Sequence, residues 1–112
     1  MTYELRFLPD VEEDVIGGYL WYEAKSSGLG EDFLRVFYAC AGEIPRNPLL
    51  YPKIYREFRR RLLRRFPYAI YYMIKDNNII VFGLFHCARD PHSIRLTLRD
   101  REPVTDPNHA LQ

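Results

Sequence analysis

Residues 58–90 read FRRRLLRRFPYAIYYMIKDNNIIVFGLFHCARD, and this stretch decides the fold. It holds a basic segment, a Phe66-Pro67 break, an aromatic segment, a polar turn and an apolar segment, and it ends in a His/Arg/Asp cluster. Extended runs bounded by turn residues are the pattern of an antiparallel meander. Such a sheet has one face for a core and one that can meet a partner. Phe58, Leu62 and Leu63 are the core candidates of the basic segment, residues 56–65. Alternation then puts Tyr68, Ile70, Tyr72 and Ile74 on one face of the next strand and Ala69, Tyr71 and Met73 on the other. Asp76-Asn77-Asn78 is a turn by composition. Residues 79–85 are apolar on both faces, which predicts a central strand, with Gly83 marking a bulge or a close approach.

Upstream, Tyr3-Glu4-Leu5-Arg6-Phe7 alternates apolar and charged side chains, the period of a half-buried strand, and Pro9 stops it. Asp10 stands where a helix N-cap belongs, with Glu13 three residues on. Val11, Val15, Tyr19 and Tyr22 form one stripe of an amphipathic helix over 10–26. Gly17-Gly18 weakens that helix by about 1 kcal/mol per glycine and offers a place for close approach. After a Ser26-Ser27-Gly28-Leu29-Gly30 turn, Phe33, Phe37 and Ala41 mark a second helix over 31–44, ended by Pro45 and Pro48. Two helices on so short a link form an antiparallel hairpin. Residues 47–55 read as an irregular connector. Residues 93–98 fit a last short strand or a helical turn, and 101–112 read as a mobile tail. The expected order is β-α-α-β-β-β: an α+β single domain over 1–100, its two-helix hairpin packed on a twisted antiparallel sheet.

A length of 112 residues with 47% hydrophobic content suits one domain with a real core. No apolar run approaches the roughly 20 residues of a membrane helix, and the opening MTYELRF lacks the features of a secretion signal. Cys40 and Cys87 fit no metal spacing, so a reduced, cytoplasmic setting with no metal and no cofactor is expected. The net charge of +1 conceals a segregation. Residues 1–45 carry nine acids against three bases, whereas 46–66 carry eight bases against Glu57 alone. The basic part needs an anion: nucleic acid, an acidic protein segment, or the chain's own acidic helices.

Two groups of residues carry candidate chemistry. Arg59, Arg60, Arg61, Arg64 and Arg65 offer planar forks that grip phosphate or carboxylate at two points, and forks in a row along a strand can track a phosphate backbone. The plainer reading is an edge strand blunted by charge. His86, Arg89 and Asp90 form the second group. The imidazole suits acid–base work near neutral pH, the guanidinium suits phosphate stabilisation, and Asp90 before Pro91 also suits a simple turn. His92 and His109 have no clear partners. There is no HExxH, no paired-cysteine motif and no Gly-rich phosphate loop.

Phe66-Pro67-Tyr68-Ala69-Ile70-Tyr71-Tyr72, then Ile79-Ile80-Val81-Phe82, then His86-Cys87-Ala88-Arg89-Asp90-Pro91, resembles the RelE/ParE superfamily of bacterial toxins. Leu5-Arg6-Phe7-Leu8-Pro9 before an acidic helix, and Asn47-Pro48 before Tyr51-Pro52, resemble its opening and its connector, so that the likeness covers residues 3–94. The resemblance implies the toxin of a type II toxin–antitoxin pair, blocked by a small acidic antitoxin, with a homodimer or a heterotetramer with the antitoxin as assemblies to expect. RelE-like members cut mRNA on the ribosome without a metal; ParE-like members poison DNA gyrase. By this likeness Arg89 matches an arginine that holds the scissile phosphate in the nucleases, His86 matches a histidine of the last-strand motif, and the 59–65 strand matches cleft lysines and arginines. The chain departs from the nuclease pattern at Ala69, where a catalytic arginine is frequent, at Ala88, and at Ile94, where an aromatic is common. Cleavage needs a base, a phosphate clamp and an acid. With one clamp missing, a ParE-like binding toxin is the leading expectation; a ribosome-dependent mRNA endonuclease and a non-toxic relative that only binds an antitoxin-like partner are the alternatives.

Overall fold

A computed structural model describes residues 2–102. In chain order the elements are β1 (Glu4–Phe7), α1 (Asp10–Lys25), α2 (Leu29–Glu43), a 3-10 turn (Ile44–Arg46), β2 (Lys53–Tyr55), β3 (Phe58–Leu62), β4 (Tyr68–Lys75), β5 (Asn78–His86) and α3 (Pro91–Arg101). The five strands form one sheet in the order β1-β5-β4-β3-β2. The meander expected from residues 58–90 is present as β3, β4 and β5, each antiparallel to the next. β1 runs parallel to β5, so the sheet is mixed. The α1–α2 hairpin is the crossover between β1 and the meander, and a parallel neighbour needs a connection of that length.

The two faces of the sheet serve two cores. Ile70, Tyr72, Ile79, Val81 and Leu84 pack under the hairpin against Val11, Val15, Phe33 and Phe37. Phe58, Ala69, Tyr71, Phe82 and Phe85 pack under α3 against Ile94 and Leu98. Residues 93–98 thus belong to a helix. Asp90 and Pro91 supply its start: Asp90 accepts the His92 N–H at 3.2 Å, and Pro91 occupies the first turn, where its missing donor costs nothing. The helix continues through Arg101, past the point where the tail was expected to begin; residues 103–112 of that expected tail lie outside the described residues. Of the three core candidates in the basic segment, Phe58 and Leu63 are buried and Leu62 is exposed.

Asp10 is not the cap of α1. Pro9 already has helical angles (φ −55°, ψ −33°), so the helix begins one residue earlier, with no side-chain cap. At the start of α2 a different carboxylate does that work. Glu23 accepts the N–H groups of Gly28 and Gly30 at 3.0 Å, across a turn in which Gly28 takes the left-handed φ of 87°.

Gly83 marks both features expected of it. Tyr71 pairs with Gly83 but Tyr72 pairs with Val81, which leaves Phe82 as the extra residue of a bulge. That residue shifts the alternation, so Leu84 faces the hairpin and Phe85 faces α3. A Cβ at Gly83 would lie 2.4 Å from the Phe85 ring. Two ladder groups at the bulge find side-chain partners. The Phe82 carbonyl accepts from Arg101 Nη1 at 2.8 Å, and the Leu84 N–H donates to Asp14 Oδ2 at 3.1 Å. Asp14 and Arg101 pair with each other at 2.7 and 3.0 Å, joining α1, the bulge and the end of α3.

Candidate functional site

Strand alternation sorts the arginine run. Arg59 lies opposite Tyr72 and Arg61 opposite Ile70, on the hairpin side; Arg60 lies opposite Tyr71, on the α3 side. Arg61 is clasped by Glu43 at the end of α2, with its side chain only 12% exposed and its guanidinium 5.3 Å from the Tyr51 ring centre. Arg64 reaches the same carboxylate at 3.0 and 3.1 Å. The hydrogen bonds from Arg64 and then Arg61 hold the Glu43 carboxyl below the usual carboxylate range, and the bond to Glu43 raises Arg64 in turn. Arg59 donates to the Tyr51 carbonyl at 2.6 Å. Arg65, in the left-handed region at φ 71°, pairs with Asp32 at 3.2 Å, and Asp32 also takes Arg35. These four arginines are therefore bound to acceptors of their own chain, and the acidic hairpin supplies much of the anion that the basic segment needs.

Arg60 has a different setting. With Arg89 and Arg95 it lines a groove of about 120 Å³ between β2 and α3, floored by Ile54, Tyr71 and Ile94. None of these three arginines is paired with a carboxylate among the described residues. Arg89 is oriented by neutral groups. It donates to Ser93 Oγ at 3.2 Å and Thr97 Oγ1 at 2.9 Å, and its guanidinium lies 4.7 Å from the Phe85 ring centre. Arg95 lies 5.9 Å from the Tyr55 ring centre.

His86 and Arg89 are three residues apart but their side chains part. The His86 ring packs 5.1 Å from that of Tyr68, which belongs to the hairpin-side core, and its Nδ1 accepts the Ala88 N–H at 2.9 Å. Arg89 lies over Phe85 on the other face. Asp90 is the cap of α3. Ala69 and Ile94, the two departures from the nuclease pattern, are both buried in the α3-side core. The groove thus has the means to bind an anion, with the imidazole on the opposite face. Tyr72 is structural: its hydroxyl donates to the Pro48 carbonyl at 2.6 Å, and burial pushes its pKa up to about 12.

Arg95 is the site residue that sequence reasoning missed. The signal was the Asp90-Pro91 start, since a helix from there carries Arg95 beside Arg89. No helix among the described residues is long and apolar enough to cross a membrane, and no group of three His, Cys, Asp or Glu side chains among them is placed to hold a metal.

A two-helix hairpin lies on one face of the five-stranded mixed sheet and a third helix on the other. The fold is shared with a chromosomal ParDE toxin–antitoxin system from P. aeruginosa (TM-score 0.65, 14% identity, 76% of this chain and 96% of that one). It is shared too with a mutant of the E. coli toxin RelE in the free state (TM-score 0.60, 14% identity, 92% and 100%). In sequence the chain is 24% identical over 102 residues to Toxin ParE2 of Mycobacterium tuberculosis, spanning 90% of this chain and 97% of the relative. The family model for the ParE toxin of the type II toxin–antitoxin system parDE matches residues 5–91, and the chain belongs to that family.

Proposed function

We propose that this toxin arrests growth by binding its target rather than by cutting RNA, with DNA gyrase as the target, and that a small acidic antitoxin holds it inactive in a heteromeric complex. The observation that carries the reading is the separation of His86 from Arg60, Arg89 and Arg95. Cleavage of a phosphodiester requires a proton acceptor and a phosphate clamp at one atom's reach, and here they lie on opposite faces of the sheet. The burial of Ala69 adds to it, because a small apolar residue in the α3-side core supplies no clamp. Kinship with ParE toxins, and a solved ParDE system with the same fold, support a paired antitoxin. Expression of the chain alone should stop growth, alter plasmid supercoiling and induce DNA-damage signalling while mRNA stays intact; co-expression of a small acidic protein encoded beside it should restore growth. Unchanged supercoiling in arrested cells would count against gyrase.

One observation favours a second reading, that of a RelE-like mRNA endonuclease. Arg60, Arg89 and Arg95 share a groove and have no carboxylate partner among the described residues, as a phosphate site requires. Primer extension on mRNA from expressing cells would then show new ends at codon positions, and Arg89→Ala would abolish both the ends and the toxicity.

A further inference from the structure

We infer that β1 is a self-association edge: two copies of this chain pair antiparallel through it, about a two-fold axis at Leu5, and join their sheets into one. The inference does not depend on which target the toxin meets. β1 ends the sheet, with β5 on one side and no strand on the other among the described residues. Its even positions carry the ladder to β5. The Glu4 N–H donates to the Asn77 carbonyl at 2.8 Å, and the Leu8 N–H donates to the Val81 carbonyl at 3.0 Å. Along a pleated strand every second residue turns its N–H and C=O to the same side. Those of Tyr3, Leu5 and Phe7 therefore face the open edge.

A two-fold contact needs a surface that complements itself. Tyr3-Glu4-Leu5-Arg6-Phe7 does so when laid against its own reverse: Leu5 meets Leu5, Tyr3 meets Phe7, and Glu4 meets Arg6. The backbone agrees with this register. The outward groups of Tyr3, Leu5 and Phe7 meet as the hydrogen-bonded pairs, and Glu4 and Arg6 fall in the non-hydrogen-bonded pairs, where side chains are closer. Moving the axis to Glu4 or to Arg6 sets like charge on like, which destabilises a ladder. Glu4 and Arg6 are 66% and 61% exposed, and their ion pair within the strand, at 2.7 Å, is easily exchanged for one across the axis. On the hairpin face Phe7 is 40% exposed and borders, with Tyr38 and Ile16, an open apolar groove of about 480 Å³. A second copy brings its own Tyr3 to that rim. The opposite edge is blunted. β2 has three residues, its register with β3 slips between Lys53 and Tyr55, Pro52 precedes it, and Arg56 after it takes a left-handed φ of 52°. β1 pairs with β5 without a slip.

Sedimentation velocity of the whole chain, up to about 500 µM, tests this. A contact between such short strands is small, so the dimer should form with a dissociation constant on the order of 10 µM and weaken as salt rises. Glu4→Arg and Arg6→Glu should each weaken it at least about tenfold, because each sets like charges together on both sides of the axis. The two single variants, mixed, should associate with each other. The double variant, Glu4→Arg with Arg6→Glu, exchanges the charges and should regain the parent's constant. Lys53→Glu alters net charge as much as Arg6→Glu does, at the other edge, and should change nothing. Glu4→Gln is a milder second variant that should weaken the dimer less than Glu4→Arg, and thermal melts confirm that each variant is folded. A chain that stays monomeric throughout, a dimer indifferent to Glu4 and Arg6, or a folded double variant that fails to associate would overturn the inference. An equal loss in Lys53→Glu would overturn it too, by tracing the contact to net charge or to β2.

Discussion

Arg60 and Arg61 are neighbours in the chain and opposites in the fold. Arg61 points under the hairpin, where Glu43 and the Tyr51 ring hold it and only 12% of its side chain meets solvent. Arg60 points the other way, into a groove with Arg89 and Arg95. A charge run on a strand is two populations interleaved, because successive side chains leave by opposite faces. Here one population ties the sheet to the acidic hairpin and the other is available to a ligand. The same division runs through the whole molecule: the hairpin face has an extensive aromatic core with arginines clamped at its rim, and the α3 face has a smaller core with arginines in its groove.

The α3 face has one structural arginine of its own, and removing it should give the largest effect. Arg101 and Asp14 have side chains 14% and 12% exposed, and between them they satisfy the Phe82 carbonyl and the Leu84 N–H of the bulge. Asp14→Ala leaves a largely buried guanidinium with only the more distant Asp10, at 3.8 Å, as a carboxylate partner, and a bulge N–H without an acceptor. Such a loss costs about 3 kcal/mol, measurable by urea unfolding. Hydrogen exchange should show α3 opening before the hairpin in this variant. Equal loosening of both layers would mean that the faces are one cooperative unit.

Arg61→Ala comes next and tests the division directly. It removes a side chain packed on Tyr51 and one of the two partners of Glu43, at an expected cost of about 2 kcal/mol. Arg60→Ala should stay within about 0.5 kcal/mol of the parent in the same assay. Comparable losses at the two positions would erase the distinction between clamped and available arginines.

The sequence made the meander legible because it depends on short periods: alternation in residues 68–74, the Asp76 turn, the apolar run and Gly83. The hairpin was legible from the spacing of Val11, Val15, Phe33 and Phe37. The parallel placement of β1 was not, since it depends on which way a long crossover returns. Residues 93–98 were ambiguous because Ile94, Leu96 and Leu98 alternate like a strand, while Ile94 and Leu98 are also one helical turn apart; burial of only the latter pair resolves it. The site was half legible. The arginines could be named, but their sorting depends on Glu43 and Asp32, and no local pattern announces a partner that far along the chain.

The clamp on the hairpin face should also make stability depend on pH in a way that the open groove does not. Glu43 has a lower pKa folded than unfolded because Arg64 and Arg61 donate to its charged form. For a carboxyl shifted in that direction, the folded state binds its proton less readily than the unfolded state does. Its stabilisation is therefore fully present above the unfolded value, near 4.3 for a glutamate, and is lost as pH falls through the lower folded value. Glu43→Gln removes that titration and keeps the shape. Thermal melts should find the variant less stable than the parent at neutral pH, with the gap narrowing below about pH 4 as the parent's carboxyl takes up its proton. A gap that stays constant as pH falls well below about 4 would mean that Glu43 contributes through packing alone, and that the arginines of the hairpin face are held by something other than its charge.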